Sequence, residues 1–258
     1  MEHPRDRYLT VYGRKPVLEV LEQPERAIAR VFVATNARGD MIRKIRAAAR
    51  ARGVEIVEKR AEDVSRISRR PKQDQGVAAD VEAPAMGPLE AWLEGLEGGA
   101  RLLALDNVTT PGNVGLVLRT ATVFGLDGVI LPRRGVPEVG PLVIKASAGY
   151  AFRARILRCS ELADGLSDAK MAGFCVYGLS DRGESSLAEV APRERSVFVL
   201  GNETDGITAP VEPLVDEWLN IPMASAGDSL NIATASAVVC WELTRGRAGS
   251  RSSALPEG

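Results

Sequence analysis

LNIPMASAGDSLNIATASAVVCWEL, residues 219–243, is the stretch whose reading decides the fold. Leu219 and Ile221 begin it as a short strand, which Pro222 stops. The loop MASAGDS follows, where Gly227 is free to take positive φ. Ser229-Leu230-Asn231 then leads into a helix, with Asp228 or Ser229 as its expected N-cap. From Ile232 to Val239 small and apolar residues run almost all the way round, so this helix is predicted to be buried. Asp228, Ser229 and Asn231 thus stand at the mouth of a core element. Read alone, the stretch is a capped core helix without chemistry; a functional reading needs partners elsewhere in the chain.

Upstream, strands alternate with helices. RLLALD (101–106), GVIL (128–131), RARIL (153–157), FCVYGLS (174–180) and SVFVLG (196–201) read as strands. Val114–Phe124, Pro137–Ser147, Leu162–Met171 and Ala209–Trp218 read as helices. Repeated β-α-β units predict an open, mostly parallel sheet covered on both faces. The N-terminal third is a smaller α/β/α unit. It has helices from Tyr12, over Met41–Arg52 and over Asp63–Ile67, and strands at 28–34, 54–57 and 75–82. The expected division is an N-terminal domain over 1–84, whose residues 1–10 are a flexible tail, then a Pro- and Gly-bounded linker over 85–99. A second domain follows over 100–247, with a disordered tail over 248–258.

Composition narrows the chemistry. No apolar run reaches membrane-spanning length and no signal-peptide pattern follows Arg5 and Arg7, which predicts a cytoplasmic protein. Cys159, Cys175 and Cys240 are odd in number and far apart, which suits reduced structural thiols and not a zinc site. The sole histidine is His3, which argues against a Ser-His-Asp hydrolase and against histidine-ligated metal. Residues 1–84 carry 18 lysines and arginines against 13 acidic residues, whereas 85–258 carry 15 against 21. The N-terminal part is therefore the better candidate for meeting a polyanion. Within it Arg43, Arg46 and Arg50 form a helical stripe, and Arg14 and Lys15 stand near the start of the first helix.

Neither a dinucleotide fingerprint nor a P-loop is present. In their place, the loop after the first strand of the second domain reads TTPGNVGLVLR (109–119). Pro111 and Gly112 turn the chain, Asn113 can cap the helix, and Gly115 permits close approach. Arg119 shares the face of Gly115, away from the apolar stripe. It projects near the carboxyl edge of a strand, where open α/β sheets bind ligands. VLGNETDGI (199–207) is a second such loop, in which Gly201 and Gly206 predict a tight turn or a backbone lying against a ligand.

Together, TPGNVGLVLRTA, VFVLGNETDGI and IPMASAGDSLNIATASA resemble motifs 1, 2 and 3 of the SpoU (TrmH-type) branch of the SPOUT RNA methyltransferases, in family order. KASAG (145–149) resembles the segment between motifs 1 and 2. YGRKPV and QGVAADV resemble the substrate-binding domain that precedes the catalytic domain in members that modify ribosomal RNA. Positions with common family residues differ at Thr110, Ala233 and Asp74; the last stands where histidine is usual, and an acid there is expected to welcome RNA less.

The resemblance implies a parallel-sheet domain with a deep trefoil knot, a homodimer, and methyl transfer from S-adenosyl-L-methionine to a ribose 2′-hydroxyl. The implied substrate is large-subunit ribosomal RNA. Transfer RNA, an antibiotic-resistance target and a non-enzymatic assembly role are the alternatives. By position, Asn113, Arg119, Glu203, Ser229 and Asn231 match the family's catalytic residues. Leu200, Gly201, Ile221, Met223, Leu230 and Asn231 match the cofactor pocket, and no metal is implied. A guanidinium is a poor base, so Arg119 is expected to clamp an RNA phosphate bidentately. Glu203 is expected to orient Arg119 or Asn113, or to meet the developing charge. A bulky side chain at Gly201 is expected to block the cofactor while sparing the fold.

Overall fold

The computed structural model describes residues 8–24, 26–181, 183–223 and 230–245. The chain divides into two compact units, Met1–Ala83 and Pro84–Gly258.

The first unit runs β1 (Tyr8–Tyr12), α1 (Arg14–Leu21), β2 (Ile28–Ala34), α2 (Asp40–Ala51), β3 (Glu55–Lys59), α3 (Ala61–Ser68) and β4 (Val77–Glu82). The sheet order is β1-β4-β2-β3, with β2 and β3 parallel and the other pairs antiparallel. Ile42, Ile45 and Ala49, spaced three and four, bury one face of α2. Arg52, just past its end, donates to the carbonyls of Val20, Leu21, Pro24 and Arg26 and so closes the end of α1. The expected tail over 1–10 is corrected at its end: Tyr8–Thr10 pair with Asp80–Glu82. YLTVY is rich in strand formers, and the partner that completes it lies some 70 residues on.

The second unit continues with β5 (Met86–Pro88), α4 (Leu89–Glu94), β6 (Ala100–Leu105), α5 (Pro111–Phe124), β7 (Gly128–Pro132), α6 (Pro141–Ala146), β8 (Ile156–Cys159), α7 (Leu162–Met171), β9 (Cys175–Leu179), β10 (Ser185–Ser186), β11 (Arg195–Leu200), β12 (Glu217–Asn220) and α8 (Ile232–Thr244). Its eight described strands lie in the order β10-β12-β9-β11-β6-β7-β8-β5, and every pair is parallel. The chain steps outward from β6 through β7 to β8, then crosses to the far side of β11. The switch point therefore lies between β6 and β11, whose last residues Leu105 and Leu200 pair in register. Leu166 and Ala169 of α7 pack with Phe174 on Leu102, Val197 and Val199 of the sheet, and α5 and α8 pack on each other.

Several expectations change here. The linker over 85–99 is folded: β5 pairs with β8, and Leu89 of α4 is buried. The helix over Ala209–Trp218 is absent; only a 3-10 turn, Glu212–Leu214, forms before β12. Pro213 removes a backbone donor there, and a helix interior does not tolerate that loss. The helix over Pro137–Ser147 is confined to α6, and the strand placed at 153–157 starts at Ile156 because Tyr150–Phe152 is a 3-10 turn. Asp228 and Ser229 lie outside the described residues; the N-cap of α8 is Asn231, whose side chain accepts from Ala233 N at 2.9 Å. The expected trefoil knot depends on the path of residues 224–229, which also lie outside them. No described helix is long and apolar enough to cross a membrane.

Candidate active site

At the switch point, three loops are tied together by side chains. Asp106, buried after β6, accepts from Thr208 N at 2.6 Å and from Thr208 Oγ1 at 3.2 Å. Asn202 Nδ2 donates to Asn107 O at 2.9 Å. These contacts fix the loop after β11 against the loop after β6, and Asp106 and Thr208 had no signal in the sequence beyond being polar. Within the later loop Asn202 and Gly206 exchange two backbone hydrogen bonds, both 2.9 Å, so the turn folds back on Gly201.

On this frame Glu203 gathers the polar residues of the other motifs. Its Oε1 accepts from Asn113 Nδ2 at 3.0 Å, from Asn231 Nδ2 at 2.5 Å and from Ile232 N at 3.3 Å. Asn231 Nδ2 also reaches Asn113 Oδ1 at 3.4 Å. One carboxylate thus joins the starts of α5 and α8, and it meets the exposed N–H end of α8, where negative charge is favoured. Asn113 is not the cap of α5: Thr110 holds that position, Pro111 is the first helical residue, and Asn113 reaches across to Glu203. Ser229 lies outside the described residues.

Arg119 is not part of this cluster. Its guanidinium lies over the ring of Tyr150, 5.7 Å from the centroid. The close approach at Gly115 is made by α6: a Cβ there would sit 2.6 Å from both Ala146 Cβ and Val143 O. Of the two partners expected for Glu203, it meets Asn113 and not Arg119.

Beside the Glu203 cluster, at the carboxyl ends of β9, β11 and β12, opens a cavity of about 560 Å³, ordinary for a small-ligand site. Leu200, Gly201, Ile221, Met223 and Leu230 line it; Asn231 does not. Ser180 and Asp181 after β9, together with Asp205, Ile207, Glu212 and Trp218, complete much of the wall. Its described lining has four carboxylates (Asp181, Glu203, Asp205, Glu212) and no lysine or arginine, which suits a cationic ligand. Gly201 serves the loop before any ligand: a Cβ there would lie 2.3 Å from Gly206 C and 2.5 Å from Ile207 N. The expectation that a bulky residue at Gly201 spares the fold is therefore wrong.

The cysteines play no part in the cavity. Burial pushes the Cys159 thiol up to about 11 and Cys240 up to about 12. Among the described residues no three His, Cys, Asp or Glu side chains group as metal ligands.

In the first unit, most of the five basic candidates already hold local partners. Arg14 donates to the carbonyls of Gln75 and Arg38, both at 3.2 Å, and so joins the two N-terminal sequence blocks. Lys15 pairs with Glu19, Arg43 with Asp40, and Arg46 with Glu58. Arg50 is exposed. Asp74 is 3% exposed and turned inward, accepting from Ser65 Oγ at 2.8 Å, Ser68 Oγ at 3.0 Å and Gly76 N at 2.8 Å. It is a structural acceptor within the first unit.

A parallel sheet with a cation-suited cavity at its switch point and polar side chains converging beside it defines an α/β enzyme of the kind that binds a small ligand at its strand ends. Residues 100–241 match the SpoU rRNA methylase family, and residues 10–86 match the family of RNA 2'-O ribose methyltransferase substrate-binding domains. The chain belongs to the SpoU rRNA methylase family. It is 34% identical to an uncharacterized tRNA/rRNA methyltransferase of Mycobacterium avium, over 93% of this chain and 78% of the relative. It is 30% identical to the 23S rRNA (guanosine-2'-O-)-methyltransferase RlmB of Xanthomonas campestris, over 93% of this chain and 97% of the relative. The AdoMet-bound rRNA methyltransferase of Sinorhizobium meliloti superposes with a TM-score of 0.69 at 25% identity, covering 94% of this chain and 88% of that one.

Proposed function

We propose that this chain transfers a methyl group from S-adenosylmethionine to a ribose 2′-hydroxyl of large-subunit (23S) ribosomal RNA. The cavity beside Glu203 carries the reading: its acidic wall, with Leu200, Gly201 and Ile221 in the lining, suits a sulfonium ligand. The cofactor supplies a methyl group already activated for attack by oxygen, which leaves the protein mainly to align the two reactants. Glu203, Asn113 and Asn231 hold the starts of α5 and α8 in one geometry beside the cavity. Arg119, exposed on α5, clamps the phosphate beside the target ribose. Ser229, by its motif position, joins that site.

RNA reaches the first unit along Arg43, Arg46 and Arg50, with Arg14 and Lys15 nearby. Exchanging Asp40 or Glu58 for a phosphate costs little, because exposed ion pairs contribute about 0–1 kcal/mol. A second copy of the chain covers the apolar surface of α5 and α8. Leu116 and Val123 are exposed two turns apart on α5, and Trp241, 60% exposed, stands edge-on to Phe124. The name of the Mycobacterium avium relative keeps transfer RNA as a second substrate reading. Mapping 2′-O-methylation on ribosomal and transfer RNA, with and without the gene, tests both. Loss of one ribosomal mark is the expected result; loss of a transfer-RNA mark alone moves the substrate; no lost mark overturns the proposal.

A further inference from the structure

The segment after α6 does more than connect two strands. Ser147 is fully buried; its hydroxyl donates to Ile144 O at 2.9 Å and accepts from Ala151 N at 3.1 Å. Ala148 takes φ of 49° and Gly149 φ of 81°, and the left-handed conformation at Ala148 costs a residue with a Cβ on the order of 1 kcal/mol. This turn delivers Tyr150 to α5. Gly115 makes the delivery possible, because only a residue without a side chain admits Ala146 so close. Four residues on, on the same face, Arg119 meets the Tyr150 ring.

Arg119 is not alone there. The guanidinium of Arg153 lies 5.5 Å from the same centroid. Both arginines are exposed, and neither side chain forms an ion pair or hydrogen bond with a described residue. Elsewhere in the unit Arg134, Arg158 and Arg245 pair with glutamates and Arg195 donates to three carbonyls, while Arg133 and Arg193 are exposed without such partners among the described residues; what sets Arg119 and Arg153 apart is the ring they share. Two like charges thus share one aromatic ring in a unit whose net charge is negative. A ring face attracts each cation by roughly 0.5–1 kcal/mol at an exposed site and does nothing to neutralise it. What completes such a pair is an anion with more than one acceptor group, and a nucleic acid strand offers consecutive phosphates.

Resting on the proposed function, we infer that Arg153 is a second RNA-backbone contact. It is held with Arg119 on the ring of Tyr150, so that the two guanidiniums receive neighbouring phosphates at the target ribose. Tyr150 is the positioning residue that sets their spacing.

The test uses the full chain and a 23S ribosomal RNA transcript, with affinity measured from 50 to 200 mM salt. Arg153→Ala is expected to reduce the slope of log affinity against log salt by about 0.7–0.9, the value of one lost phosphate contact. Arg153→Lys, which keeps a charge, is expected to restore the slope. Arg155→Ala is the control: that arginine is exposed two residues on and donates to Asp127 O, so its loss leaves the slope unchanged. Tyr150→Ala is expected to raise KM for RNA several-fold with cofactor affinity unchanged. An unchanged slope in Arg153→Ala, or an equal fall in Arg155→Ala, overturns the inference. The slope reads RNA contact without turnover, so a wild-type chain that binds RNA but transfers no methyl overturns the proposed function instead.

Discussion

Gly201→Ala is the smallest change that separates a loop requirement from a ligand requirement. The added Cβ would lie 2.3 Å from Gly206 C, 2.4 Å from Gly206 O and 2.5 Å from Ile207 N. All three are backbone atoms, so no side chain can rotate away and the loop itself must move. Overpacking of this kind costs about 1–3 kcal/mol. The movement also threatens the two 2.9 Å hydrogen bonds between Asn202 and Gly206, each worth about 1 kcal/mol. A destabilisation of about 2–4 kcal/mol follows, which for a unit of this size lowers Tm by roughly 4–16 °C. Urea and thermal unfolding measure it, with calorimetric titration of S-adenosylmethionine alongside. Gly206→Ala is the comparison: nothing lies within 4 Å of a Cβ there, and only its φ of 73° opposes the change, at about 1–2 kcal/mol. Wild-type stability in Gly201→Ala, with cofactor binding lost, would refute the reasoning and return Gly201 to a purely ligand-facing role.

Arg119→Ala is expected to lower single-turnover methyl transfer by about 10²–10³-fold, as loss of a transition-state-directed group does elsewhere, with cofactor affinity near wild type and poor rescue by Lys. Asp74→Asn is expected to cost about 1–3 kcal/mol, because a buried acceptor of three hydrogen bonds becomes partly a donor, and to leave the salt slope of RNA binding unchanged. Burial acts to raise Asp216, but the hydrogen bonds from Lys170 and Val176 N outweigh it and hold its carboxyl below the ordinary 3.8. A lowered folded value stabilises above the unfolded one and is lost as pH falls through the folded one. The stability gap between wild type and Asp216→Asn should therefore be full at neutral pH and close below about pH 4 in an acid unfolding series.

The second unit was legible wherever periodicity is local. Leu162–Met171 and the buried strands carry their pattern in four to ten residues, so their placement needed no partner. Ala209–Trp218 misled because its apolar spacing suits a helix, while Pro213 and pairing with β9 decide otherwise. β1 is the converse case: YLTVY carries strand formers, but its partner among the described residues is β4, far along the chain, and a mobile-tail reading of the N-terminus overrides so short a signal. The site divided the same way. Motif order brought Leu200, Gly201, Ile221, Met223 and Leu230 to the same cavity. That Asn113 and Asn231 meet on one oxygen of Glu203 depends on contacts spanning 90 and 28 residues, which no spacing rule contains. Gly201 and Gly115 were recognised as close-approach positions, but what approaches is the protein's own backbone and α6.

The central claim is tested most directly by the linkage the methyl group protects. The purified chain is incubated with methyl-labelled S-adenosylmethionine and a 23S ribosomal RNA transcript, and the product is hydrolysed in alkali. A methylated 2′-hydroxyl cannot attack its own phosphodiester, so the account expects the label in a single alkali-resistant dinucleotide. Absence of label, or label recovered wholly in mononucleotides and therefore on a base, would contradict it.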